Sequence, residues 1–583
     1  MVGLADLRRS LESLAPSART AGLEGRLAAV AQRIETAVGL AVQSGLLWEL
    51  RPPGIAMAAR QLSKGRSGPS ALFRIHGANS PDKPAIVFRP ARGAGRTWTY
   101  GELDRTCDRV AAGFVARGLA GSSVLVMMKN RPEYLVIGTA ASRAGAAQVT
   151  ISWRSTPAEL AYLAGHCGAK AIVFDAAVAT TVEKADLPGI PRENRFVVRD
   201  ADDAPTDGFT PFEALATETP LDEAREEGPV VVYTSGTTGK PKGAVRKFNR
   251  ELLPSLLRFL KETPFRADDV HLASCPLYHT TSFGFIGMSM ILGATIVLMD
   301  EYEPRRWLEL LDRERATTTV LVPTMLHRLL ALGDDTIRAR DTRSLRALFC
   351  TSAPLPGPDS TKAMELFGDV VFNLYGATET GIVTLAKPRD LRHSPGTIGR
   401  AVAGTEIRLL DDTGREVAPG EVGELYARNA MLVAGYHRDE AATRGSMRDG
   451  FFSVGDLARI DEHGCYHLEG RKRDMIISGG VNVYPAEVEA TLEAHPQVDE
   501  VAVVGLPDPE WGERVTAVVV PKVVADDVVV DEAALKIWCK ERLAGPKVPR
   551  TIVLLPRGES LPRNPTGKVL KRDLQVRFAE RSS

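Results

Sequence analysis

The sequence predicts an α/β protein: a large N-terminal domain with doubly wound sheets, followed by a small α+β C-terminal domain. Three observations carry this. At 583 residues the chain exceeds what one hydrophobic core serves, so two or more domains are expected. From Ala71 onward, short apolar runs alternate with helical stretches, the pattern of a mostly parallel sheet covered on both faces. A loop rich in Gly, Ser and Thr is fed by the apolar run Val230–Tyr233, and ligand-binding loops of such sheets follow strand ends. The boundaries expected are 1–70 for a helical extension, 71–471 for the large domain and 472–583 for the small C-terminal domain.

Within residues 1–70, Leu23–Val42 is Ala-rich with helical spacing, Pro52-Pro53 reads as a break, and Arg60, Lys64 and Arg66 are basic. Residues 1–66 hold nine Lys or Arg against five Asp or Glu. Two readings stay open: helices packed on the main domain, or a basic, apolar pair making peripheral contact with a membrane surface. In the large domain, Ala85–Phe88, Thr97–Tyr100, Val124–Met128 and Ala171–Phe174 read as strands. Gly101–Arg117 and Pro132–Ala144 read as helices, and Thr156 with Pro157 reads as an N-cap followed by a first-turn proline. Residues 201–227 are acidic and Pro-containing, expected as an exposed connection. Pro276–Met299 carries no charge and is long enough to cross a bilayer, but Gly284, Gly287 and Gly293 divide it. It is expected as a helix Thr281–Leu292, a stop at Gly293 and a strand Thr295–Met299. Thr318–Thr324 reads as a strand into a turn, and Leu345–Cys350 as a strand. The C-terminal portion, Glu500–Pro521 and Asp531–Leu543, reads as strands with a helix.

Lys plus Arg and Asp plus Glu both total 73, so no net charge draws the chain to nucleic acid. The six cysteines are scattered without a CxxC pair, which fits a reducing cytoplasm and argues against a zinc site. His463 and His467 flank the hairpin Ile460–Tyr466 and are read as surface residues, since nothing completes a ligand set.

The chemistry begins at Thr234-Ser235-Gly236-Thr237-Thr238-Gly239-Lys240-Pro241-Lys242-Gly243. Glycines aim successive backbone N–H groups at an anion, hydroxyls add donors, and lysines add charge. Such a loop suits a polyphosphate, though a mononucleotide P-loop is excluded because Pro241 follows Lys240. This loop resembles the signature of the adenylate-forming superfamily, which includes acyl-CoA synthetases, adenylation domains and luciferases. Further matches follow in family order, from about residue 70 to the C-terminus.

In that resemblance Thr234, Ser235, Gly236, Thr237, Thr238 and Lys242 face the ATP phosphates, and Ser352, Ala353 and Pro354 belong to the nucleotide site. Asn373-Leu374-Tyr375-Gly376-Ala377-Thr378-Glu379 implies Asn373, Tyr375 and Gly376 around adenine, Thr378 on the α-phosphate and Glu379 on Mg²⁺. A carboxylate beside phosphates is repulsive without a cation between them. Asp456 and Arg471 are implied at the ribose, and Arg473 as the hinge. Gly479 and Gly480 would line the pantetheine tunnel of coenzyme A, and Lys568 in Arg563–Lys568 matches the catalytic lysine of the lid. His279 matches a position beside the substrate carboxylate.

The resemblance thus implies an ATP-dependent ligase forming acyl-AMP and then acyl-CoA. The uncharged segment Leu277–Met299 disfavours amino acids, whose ammonium would need a partner there, and suits a medium- or long-chain fatty acid. Alternatives are an aryl-acid–CoA ligase, an acyl-AMP ligase serving a carrier protein, or a regulator without catalysis.

Overall fold

A computed structural model describes residues 35–66, 68–200, 203, 206, 208–221, 230–234, 242–246, 252–433, 435, 440–522, 531–563 and 568–579. These form two compact units, drawn from Met1–Leu321, Leu332–Phe349 and Ala430–Thr443, and from Val322–Ala331, Cys350–Asn429 and Arg444–Ser583.

The first unit holds parallel sheet. Strands Ser123–Met127, Ala147–Thr150, Ala169–Asp175, Arg195–Val198 and Val230–Thr234 pair in parallel, and Lys242–Arg246 closes one edge antiparallel to Val230–Thr234. A second parallel set joins Pro84–Arg89, Thr295–Met299, Val270–Ala273 and Thr318–Leu321. Because strand side chains alternate faces, consecutive residues enter different cores. Val124 and Val126 pack with helices Tyr100–Ala116 and Pro132–Ala144, whereas Leu125 and Met127 pack with helix Pro157–Cys167. That is the doubly wound arrangement expected, with near-continuous apolar strands buried on both sides.

Local signals set the helix ends. Thr156 accepts from Glu159 N–H while the Glu159 carboxylate accepts from Thr156 N–H, and the Thr99–Glu102 pair does the same. The uncharged segment forms helix Thr280–Ile291, Gly293 at φ +77° and strand Thr295–Met299. Among the described residues no helix is long and apolar enough to cross a membrane.

Three local expectations differ. Pro52-Pro53 starts a helix, Pro52–Ser63, because proline fits a first turn whose N–H groups lack intrahelical acceptors. Within 201–227, Phe212 and Leu215 are buried, and a Cβ on Gly113 would lie 1.6 Å from the Leu215 carbonyl oxygen, so this connection is seated on helix Tyr100–Ala116. Pro323 opens helix Pro323–Leu330 after strand Thr318–Leu321, again as a first-turn proline rather than a turn.

The described part of the extension packs on the main domain. Asn79 accepts from Arg51 N–H at 2.8 Å and donates to the Glu49 carbonyl at 3.0 Å, and Ala267 N–H donates to the Ser44 carbonyl at 2.9 Å. Trp48 nonetheless stays 81% exposed, with Val38, Val42, Leu47 and Ile55 also exposed.

The second unit is mainly antiparallel. Strand Val371–Ala377 pairs with Gly381–Ala386, and Glu406–Leu410, Gly423–Arg428, Asp456–Ile460 and Tyr466–Arg471 form a sheet. The C-terminal portion is built on a long hairpin, Val498–Asp508 with Gly512–Pro521. Val501, Val503, Val515 and Ala517 pack with helices Pro485–Glu493 and Glu532–Lys540, and Ala502, Val504 and Val518 pack with helix Lys571–Ala579. The small α+β domain therefore buries both faces of one hairpin.

Candidate active site

Among the described residues, the hairpin Val371–Ala377 to Gly381–Ala386 carries the densest cluster of expected residues. Its tip is Thr378-Glu379-Thr380, with Thr380 Oγ1 accepting from Ala377 N–H at 3.0 Å. A Cβ on Gly376 would lie 2.0 Å from the Gly381 carbonyl oxygen, and the register shifts between Tyr375 and Gly376. Glycine at 376 is thus what lets the strands close below the tip. Glu379 is only 9% exposed. Asn373 is buried and donates to the Thr397 carbonyl at 2.8 Å, bracing the strand.

Tyr375 links this hairpin to the next motif. Its hydroxyl donates to Asp456 Oδ2 at 2.8 Å, while Arg471 Nε lies 3.3 Å from Asp456 Oδ1. Asp456 and Arg471 are directly opposed across strands Asp456–Ile460 and Tyr466–Arg471, so the ion pair follows from register. Burial, and then the adjacent Asp456 charge, hold the Tyr375 hydroxyl well above its ordinary pKa, so it stays protonated as a donor.

Lys568 faces the same group. Surrounding protein and then the Arg471 charge lower its pKa, while Asp456 and Glu379 act the other way. Lys568 is itself exposed. Lys568, Glu379, Asp456 and Arg471, expected from four separate motifs, are therefore electrostatic neighbours.

The turn after Ile476–Ser478 places Gly479 at φ +58° and Gly480 at φ +78°. The two glycines differ. A Cβ on Gly479 would lie 2.6 Å from the Trp511 ring, whereas one on Gly480 would meet nothing within 4 Å. Gly479 also donates its N–H to the Trp511 carbonyl at 2.8 Å. Just before them, Lys472 Nζ lies 3.0 Å from Glu424 and 2.8 Å from Asp412, and these partners raise its pKa to about 12. Arg473 sits in the short 3₁₀ turn Lys472–Asp474.

Ser352 follows strand Ala347–Thr351 with φ +75°, a left-handed conformation that costs a non-glycine residue and is concentrated at functional sites. Ala353 and Pro354 continue that turn. In the other unit, Thr234 and Lys242 end paired strands opposite each other, and Ser235 to Pro241, with Gly236, Thr237 and Thr238, lie outside the described residues. His279 takes the N-cap position of helix Thr280–Ile291, its ring 4.3 Å from that of Tyr278. Sequence reading passed over Asn130, which is buried, donates to the Cys275 carbonyl at 3.0 Å and accepts from Leu277 N–H at 2.8 Å. It thereby fixes the segment leading to His279.

Among the described residues, no group of three or more His, Cys, Asp or Glu is arranged to hold a metal. His463 is exposed, as expected, but His467 is half-buried and bonds Asp461 at 2.8 Å; it is a structural residue rather than a surface one.

The second unit thus brings together a buried acid, Glu379, an ion-paired aspartate, Asp456, and the charge of Lys568. The model of the AMP-binding enzyme family matches residues 73–437, and that of the AMP-binding enzyme C-terminal domain matches 487–568. The chain belongs to the AMP-binding enzyme family, within the adenylate-forming superfamily, and is an AMP-forming acid–thiol ligase. It is 35% identical over 494 residues to a feruloyl-CoA synthase of Amycolatopsis sp., covering 84% of this chain and 95% of that protein. It is 30% identical over 487 residues to the long-chain-fatty-acid–CoA ligase FadD13 of Mycobacterium tuberculosis, covering 82% and 93%. The crystal structure of ATP-bound MatB from Rhodopseudomonas palustris aligns with a TM-score of 0.75 at 31% identity, covering 88% of this chain and all of that one.

Proposed function

We propose that this enzyme activates an extended apolar carboxylic acid, a medium- or long-chain fatty acid, as its acyl adenylate and transfers the acyl group to coenzyme A. The observation that supports this acid is the helix Thr280–Ile291. It carries no charge, and Cβ atoms built on Gly284 and Gly287 meet nothing within 4 Å, so one face has room beside it for a chain. A second reading, an aryl acid, is favoured by the 35% identity to the feruloyl-CoA synthase. Pyrophosphate release with acetate, benzoate, ferulate, octanoate and palmitate, with and without CoA, separates them. Best turnover on benzoate or ferulate with none on palmitate would end the fatty-acid reading.

In the first half-reaction a carboxylate oxygen bonds to the α-phosphorus of ATP and the bond to the β-phosphate oxygen breaks, releasing pyrophosphate. Every group involved is anionic, so the protein's task is neutralisation and alignment. Lys568 offers the ammonium that offsets charge on the carboxylate and α-phosphate oxygens. Thr378, beside Glu379 at the hairpin tip, is assigned to the α-phosphate. Asp456, held by Tyr375 and Arg471, accepts from the ribose hydroxyls. Glu379 suits Mg²⁺: a single buried carboxylate oxygen donor is how this hard ion is held when phosphates supply other ligands. When bound, the ion supplies charge neutralisation on the phosphates. His279 gates the acid's carboxylate, which is already ionised at neutral pH and needs no base.

In the second half-reaction the thiol sulfur of CoA bonds to the acyl carbon, the bond to the adenylate oxygen breaks, and AMP leaves with loss of the thiol proton. We assign this to a rotation of residues 472–583 about Arg473, which withdraws Lys568 and brings the Gly479–Gly480 turn to the pantetheine arm. The exposed Val38, Val42, Leu47, Trp48 and Ile55 support a peripheral membrane contact by the extension, tested by flotation with phosphatidylglycerol vesicles.

A further inference from the structure

His327 stands in an acidic cluster that this chemistry does not use. It lies on helix Pro323–Leu330, with Nδ1 3.1 Å from Asp359 Oδ2 and Nε2 3.4 Å from Asp499 Oδ1. Asp359 is on helix Gly357–Phe367, inside the stretch matched to the AMP-binding enzyme family. Asp499 is on strand Val498–Asp508, inside the stretch matched to the C-terminal domain. One ring therefore touches a carboxylate of each.

Both ring nitrogens face carboxylates, and a neutral imidazole has only one N–H to offer. The geometry is satisfied by the cation, and the bonds to Asp359 and Asp499 raise the His327 pKa to about 10, against the opposing effect of burial. Glu493, at the end of helix Pro485–Glu493, faces the same cluster. Burial, and then Glu489 and Asp359, push its carboxyl up to about 8, while His327 acts the other way. The outer acids have their own cations: Lys571 lies 2.7 Å from Glu489 and Arg563 3.0 Å from Glu500, and Lys522 acts on Asp499.

We propose that His327 is a positioning residue for adenylation: by joining Asp359 to Asp499 it latches the C-terminal domain in the orientation that keeps Lys568 beside Asp456 and Glu379. This rests on the domain-alternating reading above. Release for the thioester step breaks the Asp499 contact and leaves Asp359 on the ring.

The test compares wild type, H327A, D499N and H327R in the intact chain. Pyrophosphate exchange reads adenylation, and thioester formation from a supplied acyl adenylate reads the second half. Losing a charge-assisted contact should slow exchange about tenfold in H327A and D499N. Thioester formation should be unchanged, and H327R, which can still span two carboxylates, should restore exchange. The sign of the pH effect is set by a raised pKa: the latch is complete below the ordinary histidine range and is lost as pH rises through about 10. Arginine does not titrate there, so exchange by H327R relative to wild type should rise with pH. Parallel loss in both half-reactions, or no loss in either, overturns the proposal. If no acid supports exchange even in wild type, the substrate reading has failed, and tryptic nicking after Lys472 and Arg473 with ATP alone reads the latch. Faster nicking in H327A and D499N supports it, and nicking at the wild-type rate overturns it.

Discussion

The Tyr375 hydroxyl donates to Asp456 Oδ2 at 2.8 Å, joining residues 81 positions apart. Asp456 is thereby held from one side by a neutral donor and from the other by Arg471 at 3.3 Å. Tyr375→Phe removes the donor and leaves a half-buried carboxylate oxygen facing a ring edge. A hydrogen bond to a charged group contributes about 1.5–3 kcal/mol, so we expect a stability loss of that order by denaturant titration and a raised KM for ATP. Unaltered values for both would mean that water replaces the hydroxyl without cost.

Lys568→Ala should lower pyrophosphate exchange about 10²–10³-fold, the usual effect of removing one group that stabilises developing charge. Thioester formation from a supplied acyl adenylate should be nearly unaffected, and comparable loss in both would point to a structural lysine. Because the surrounding protein and then the Arg471 charge lower the Lys568 pKa, the ammonium is present at low pH and lost as pH rises, below the ordinary lysine range. The alkaline limb of kcat/KM, which reports the free enzyme, should fall there. Asp456→Asn removes a charge that favours the ammonium and should move that limb to lower pH.

Gly480→Leu should block CoA attack while acyl-AMP accumulates, detected by mass. The position has φ +78°, so turn strain accompanies any side chain, and Gly480→Asn, which tolerates the left-handed region, serves as the control. Gly479→Ala is a different experiment: its Cβ would strike the Trp511 ring, and loss of stability is expected first. Normal thioester formation by Gly480→Leu would place the thiol's route elsewhere.

Gly287→Trp should shorten the preferred acid and leave acetate nearly unaffected. Each buried CH₂ contributes about 0.8 kcal/mol, roughly a fourfold gain in affinity, so wild-type affinity should climb with chain length until the space ends. A length profile identical to wild type would remove this helix face from the substrate pocket.

By itself the sequence determined most of the elements and, through its resemblance to the adenylate-forming superfamily, the class of reaction. The period of apolar residues, the Thr156-Pro157 start and the Gly293 stop are local properties, and local physics places Pro132–Ala144 and Thr295–Met299 at their observed bounds. The prolines at 52 and 323 were misjudged because the same ring breaks a helix interior and suits its first turn, which only the following residues' packing decides. The motif residues are singled out by their resemblance to the adenylate-forming superfamily, whose family models match 73–437 and 487–568. Tertiary structure alone decided which of them meet. The Tyr375–Asp456 bond, the contact of Gly479 with Trp511, the bracing of Cys275 and Leu277 by Asn130, and the His327 bridge to Asp359 and Asp499 all join residues distant in the chain. Such contacts are set by strand register and helix packing, which no single stretch of sequence encodes.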